Sequence, residues 1–222
     1  MNLLSELKKQ KLIECPSFVV DNLILLSVAG SHSYGTATPE SDKDIYGICI
    51  PPKEYVYFDG IVGFESPNIF NEWQQQGIVY NNEEFDIKVY SIVRVFKLAL
   101  EGNPNILDFL SVTNDCVLYQ HRFGELIRNN WSYFLSKQAI PRYFGFAISH
   151  LKSMQNRNTS GIFPEKRKHL YEKYGYDTKD FAHIYRGLKS LEDILLYGYY
   201  RPNAYSKEVL EVRNGKYTYN VS

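Results

Sequence analysis

The sequence predicts an α+β protein, with a small β-sheet and flanking helices over residues 1–100 followed by a mainly helical part over residues 101–222. Three observations predict it. Leu23–Ala29 and Ile45–Ile50 are apolar runs of strand length. Phe85, Ile87 and Val89 alternate with Asp86, Lys88 and Tyr90, the two-residue period of a half-buried strand. From Ser91 onward the period becomes helical.

Taken in order, residues 1–14 read as a short amphipathic helix without the basic-then-apolar pattern of a signal peptide, and the expected location is cytoplasmic. Leu23–Ala29 ends in glycine and suits a central strand. Pro51-Pro52 stops the second strand, and 55–58 with 61–64 read as an irregular hairpin about Asp59-Gly60. Residues 66–82, rich in Asn and Gln, read as a loop. Ser91 is the expected N-cap of a helix over 92–101 that Gly102 ends, and Asn103-Pro104 opens the next. Further helices are expected over 121–129, 139–157, 164–174 and 178–197. Around Asn214-Gly215, residues 209–221 read as a small hairpin.

Composition limits the function classes. No stretch of the 222 residues approaches the ~20 apolar residues of a membrane span. Cys15, Cys49 and Cys116 are widely separated and lack metal-binding spacing, so neither a disulfide framework nor a zinc knuckle is expected. The net charge of zero argues against a broad electrostatic grip on nucleic acid. It hides an asymmetry, because ten acids against three lysines between Glu40 and Tyr90 leave that stretch at minus seven.

The chemistry concentrates between Ser27 and Ile50. Gly30-Ser31 closes the first strand, where backbone N–H groups and a hydroxyl suit a terminal phosphate. Asp42 and Asp44, two residues apart at the entrance of the second strand, project to the same side, and Asp86 can join them from a neighbouring strand. Three carboxylates within ~5 Å repel by ~3 kcal/mol per pair at an effective dielectric of 20, so such a cluster calls for a cation. Magnesium fits best, with manganese as a substitute. An isolated Asp-x-Asp is more often a solvated loop or a cap. Here the strand precedes Gly30-Ser31 rather than the aspartates, and Asp86 stands among apolar alternates. His32 reads as a cap or packing residue.

A second constellation spans Tyr174 to Arg186. At 100° per residue from Lys179, His183 falls at about 40° and Arg186 at about 340°, while Ile184, Leu188, Leu191 and Leu195 fall between about 120° and 180°. Two clean faces are therefore expected, with Lys179, His183 and Arg186 aligned for a triphosphate. A charged stripe is usually a solvated face, but a histidine between two cations is costly without an anion opposite. The basic run Lys166-Arg167-Lys168-His169 suits either a nucleic-acid backbone or a solvated helix end.

Gly30-Ser31-His32-Ser33-Tyr34-Gly35, Ser41-Asp42-Lys43-Asp44-Ile45-Tyr46-Gly47, Asn103-Pro104-Asn105 and Tyr174-Gly175-Tyr176-Asp177-x-Lys179-x-x-x-His183-x-x-Arg186 together resemble the DNA polymerase beta superfamily of nucleotidyltransferases. More narrowly, they are similar to the nucleotidyltransferases linked to RNA repair. The resemblance runs from about Leu23 to Lys216. It implies a mixed sheet with flanking helices, a catalytic domain over 1–100 and a helical domain over 101–222 that completes the nucleotide site. It also implies that Asp42, Asp44 and Asp86 hold magnesium and carry the catalysis, with Glu83 and Glu84 as neighbouring alternatives to Asp86. Gly30, Ser31, Lys179, His183 and Arg186 would bind a nucleoside triphosphate. The family pattern continues into an acidic helix after Lys216, an element expected to be missing here or supplied by a partner. The implied reaction transfers a nucleoside monophosphate to an acceptor hydroxyl, an RNA end or alternatively a protein. The rival class is a non-catalytic module that binds a nucleotide or an RNA end.

Overall fold

The computed structural model describes residues 2–39, 41–56 and 69–218. They form two compact units. The first runs to Leu100 and also takes in Asn105–Phe134, and the second holds Glu101–Pro104 and the chain from Leu135 onward.

The first unit is built on a five-stranded mixed sheet: β1 (Leu23–Val28), β2 (Lys43–Cys49), β3 (Glu72–Tyr80), β4 (Glu83–Ser91) and β5 (Val117–Gln120), in the order β3-β4-β2-β1-β5. β2 and β4 run parallel, and the other neighbours are antiparallel. One face buries Ile45, Phe85, Ile87 and Val89 against α1 (Leu3–Lys9) and α2 (Ser17–Asp21), with Leu4, Leu7 and Val19 fully buried. The strands expected at 23–29, 45–50 and 85–90 are β1, β2 and β4. Ser91 Oγ accepts from Arg94 N at 3.1 Å, capping α4 (Ile92–Leu100) as the sequence predicts.

The loop expected over 66–82 is instead largely strand, in β3. Its polar side chains suit a sheet edge, where one face meets solvent. Trp73 Nε1 donates to Glu14 O at 2.8 Å and Gln75 Nε2 to Leu12 O at 2.9 Å, tying the edge to the N-terminal segment. Asn81 and Asn82, both with positive φ, turn the chain into β4. The hairpin expected near 55–64 falls mostly outside the described residues, and Tyr55 ends a 3-10 helix.

The second unit is helical. α5 (Pro104–Leu110) begins at its edge, and α6 (Arg122–Asn129) belongs to the sheet unit. Then come α7 (Ala139–Ser160), α8 (Lys168–Tyr174), α9 (Thr178–Tyr197) and α10 (Ser206–Arg213). The C-terminal hairpin is not formed over 209–213, which are helical. Val209 and Val212, three residues apart, pack with Ala182 of α9, and burial at helical spacing overrides the short-range turn signal. Asn214 and Gly215 end this helix.

The packing of α7 on α9 is fastened by buried acids. Asp177 caps α9, its Oδ1 accepting from Asp180 N at 3.0 Å. Arg167 Nη1 donates to Asp177 Oδ2 at 2.8 Å and to Asp180 Oδ1 at 3.0 Å. Arg157 bonds both acids as well. Burial alone would raise the Asp180 carboxyl, but the hydrogen bond from His150 and the charges of Arg167 and Arg157 outweigh it and bring the pKa to about 2.

Two outcomes follow. A Cβ on Gly124 of α6 would overlap the Ile24 carbonyl of β1, a backbone atom that cannot yield. Gly124→Ala should therefore lower stability by ~1–3 kcal/mol despite alanine's better helix propensity, and an unchanged urea midpoint would contradict the packing. The depressed Asp180 pKa contributes stability above the unfolded value near 3.9, lost as pH falls towards about 2. The urea midpoint should drop across that window, and in Asp180→Asn the drop should be smaller.

Candidate active site

The sheet face opposite α1 and α2 carries the sequence-predicted carboxylates. β1 and β2 are antiparallel neighbours, and Ala29 N donates to Asp44 O at 2.8 Å, which carries Gly30 alongside Asp44. Gly30 has φ +60° and opens α3 (Gly30–Ser33). A Cβ there would overlap Asp44 Oδ2, so only glycine lets the carboxylate lie against this turn. Ser33 Oγ donates to Gly30 O at 2.9 Å, and Thr36 N to Ser31 O at 2.8 Å, bracing the turn from within. His32 Nε2 lies 3.4 Å from Ser41 O, a local packing contact.

Asp42 precedes β2, and Asp44 is the register partner of Asp86 on β4. All three are half-buried. Parallel partners project to one face, so Asp44 and Asp86 are lateral neighbours. Asp86 Oδ1 accepts from Gly77 N at 2.9 Å, a bond made at an irregularity of β3 where Gly77 has φ +64°. Glu83 alternates to the opposite face and pairs with Lys43 at 2.8 Å, whereas Glu84 shares the parity of Asp86. Among the described residues no three His, Cys, Asp or Glu side chains converge as a metal-holding group. Asp44 and Asp86 are neighbours in register and Asp42 precedes the strand, an open arrangement expected of like charges that repel.

The same alternation places Tyr46 beyond Asp44, and Lys88 and Tyr90 beyond Asp86. None of the three was read as a site residue from the sequence, although the period-two pattern that marks Asp86 also marks Lys88 and Tyr90. Burial and the neighbouring Asp44 push the Tyr46 phenol up to about 12, and burial pushes Tyr90 up further. Their rings meet edge to face at 5.7 Å, and Phe109 of α5 meets Tyr46 at the same distance. Lys88 pairs with Glu72 at 2.7 Å.

In the second unit the two clean faces predicted for α9 are not observed. Leu188 and Leu195 are 42% and 61% exposed, whereas Arg186 is only 3% exposed. The helix buries a polar strip because α7 covers it: His183 stacks on His150 at 5.1 Å, and Gly187 lies against Phe146. Helical angles define which residues share a face, but not which face finds a partner. Burial, with Arg186, His150 and Lys179 nearby, holds the His183 pKa well below its usual value. A neutral His183 removes much of the cost of placing histidine between two cations. In the basic run, Arg167 belongs to the buried ion cluster, while Lys168 and His169 are exposed. Asp177 stood in the sequence motif without a role and Asp180 was not singled out, although their three-residue spacing at a helix start is a capping signal.

The chain is 34% identical over 95 residues to an uncharacterised 38.9 kDa protein of Enterobacteria phage T4, a match covering 43% of this chain and 27% of that protein. Among solved structures it is similar to a nucleotidyltransferase-like protein from Exiguobacterium sibiricum 255-15, with a TM-score of 0.37, 8% identity, and coverage of 89% of this chain and 70% of the other. The model of the RNA repair pathway DNA polymerase beta family (RlaP) matches residues 2–217, and the chain belongs to that family.

Proposed function

We propose that this protein is a magnesium-dependent nucleotidyltransferase that transfers a nucleoside monophosphate from a nucleoside triphosphate to an acceptor hydroxyl, with an RNA end as acceptor. The observation that carries the reading is the seating of Asp44 against the Gly30 turn, with Asp86 beside it in register. Membership of a polymerase beta family tied to RNA repair supports the reaction class and the acceptor.

The acceptor oxygen attacks the α-phosphorus, the bond from that phosphorus to the bridging oxygen breaks, and pyrophosphate leaves. The hydroxyl proton passes to a carboxylate, for which Asp86 is the candidate. Gly30 and Ser31 bind phosphate through the backbone N–H groups and hydroxyl of their turn. Lys179, His183 and Arg186 are the phosphate-binding residues of the second unit. Asp44 Oδ2 lies beside Gly30, and carboxylate oxygens fit a hard divalent cation, magnesium or manganese, which Asp42 and Asp44 would hold with Asp86 as the third ligand. Such an ion supplies neutralisation of phosphate charge and activation of the attacking oxygen. Most of the remaining catalysis is positioning.

Incubation with α-labelled triphosphates, magnesium and RNA oligomers should label the RNA, and Asp44→Asn should reduce labelling by at least ~100-fold. Equal labelling by that variant would overturn the mechanism, and labelled protein in place of RNA would overturn the acceptor. Gly30→Ala must move either the turn or the Asp44 carboxylate. It should lose activity to a similar degree, while its Tm falls only by the few degrees typical of alanine at positive φ.

A further inference from the structure

We propose that His150 is a further phosphate-binding residue, and that the stacked pair His150–His183 receives a phosphate group of the nucleotide together with a proton. The proposal rests on the nucleotide reading above and adds a residue from α7 and a proton to the phosphate-binding group of α9.

The argument begins with Asp180. It is 1% exposed, and its carboxylate is held by Arg157 and Arg167, so it cannot turn. His150 Nδ1 lies 3.2 Å from Asp180 Oδ1, a bond that fixes the ring and turns its Nε2 edge away from the carboxylate. The imidazole of His183 stacks on this ring at 5.1 Å, with 29° between the planes. Phe146 stands edge-on to both rings, 4.5 Å from His150 and 6.5 Å from His183, and backs the pair with an apolar wall. The His150 side chain is 27% exposed, which leaves a path from solvent to the pair.

The charged and titratable groups acting on His183 are Arg186, Lys179 and Asp180 from α9 and His150 from α7. Three are basic, and the acid is already shared among Arg157, Arg167 and His150. Burial and the basic neighbours together favour neutral His183. A neutral His183 tolerates the ring stacked on it, but protonating His183 beside two cations is unfavourable unless an anion arrives. A phosphate brings several acceptor oxygens and up to two negative charges, matching an ammonium, a guanidinium and imidazole N–H groups better than a carboxylate does. Linkage then fixes the sign. An anion that favours the protonated pair binds more tightly as pH falls, by at most about tenfold per pH unit for one proton.

Tripolyphosphate titrated calorimetrically into the full chain, in two buffers of different ionisation enthalpy, reads both affinity and proton uptake. Affinity should rise by roughly fivefold to tenfold from pH 8 to pH 6.5, with uptake of a fraction of a proton up to one. His150→Gln, which retains a hydrogen-bonding side chain but does not titrate, should bind roughly tenfold more weakly at pH 6.5 with a flattened pH profile, and His183→Gln should behave alike. Binding by the unaltered chain without proton uptake would overturn the proposal, as would wild-type affinity and uptake in His150→Gln. Because a variant can misfold, histidine ring NMR titrations of the unaltered chain give a second reading. Two histidine resonances should shift to higher pKa when tripolyphosphate binds, and an absence of shifts would overturn the proposal. The nucleotidyltransferase reading fails separately. Proton-linked binding without transfer to any acceptor sinks that reading alone, whereas transfer with pH-independent binding sinks this one.

Discussion

The contact between the Gly30 backbone and the Asp44 carboxylate is the constraint on which the rest of the sheet unit depends. A carboxylate can lie against a chain turn only where no side chain intervenes, so residue 30 must lack a Cβ, and its positive φ independently favours glycine. The turn is in turn fixed by the antiparallel pairing of β1 with β2, which ends in the bond from Ala29 N to Asp44 O. The Gly30 turn and the Asp44 side chain are thus coupled through one ladder. The apolar face beneath, packed on α1 and α2, keeps that ladder rigid.

The sheet divides its labour by parity. Odd positions of β2 and β4 supply the core through Ile45, Phe85, Ile87 and Val89, and even positions supply Asp44, Tyr46, Asp86, Lys88 and Tyr90. A one-residue slip would exchange the two sets. Parallel pairing of β2 with β4 aligns Asp44 with Asp86, and β3 adds a backbone donor to Asp86 from Gly77. The polar edge strand therefore orients a carboxylate as well as finishing the sheet.

The second unit solves a different problem. Its two long helices meet through polar side chains, with Asp177 and Asp180 almost wholly enclosed and satisfied by two guanidinium groups, a histidine and the start of α9. Removing water from an acid is tolerable only with such complete pairing. The bonds that make it tolerable also orient His150, and through it the stacked His183. A network that closes the helix interface thereby also orients the stacked imidazoles.

Much of this was legible in the sequence. Alternation located β4 and assigned Asp86 to the polar face, the glycine after an apolar run marked the turn at Gly30, and cap residues marked the starts of α4 and α5, because these features depend on neighbours within a few residues. Edge strand β3 was hidden, since its own residues are polar and part of what holds it, the bonds of Trp73 and Gln75, reaches a segment some sixty residues away. The C-terminal helix was hidden because Val209 and Val212 gain from burial on α9 what a local turn signal could not show. For α9 the sequence determined which side chains share a face. Only the tertiary structure decided that α7 covers the face bearing His183 and that Arg186 is buried, because burial depends on which surfaces meet, and helical period alone does not carry that information.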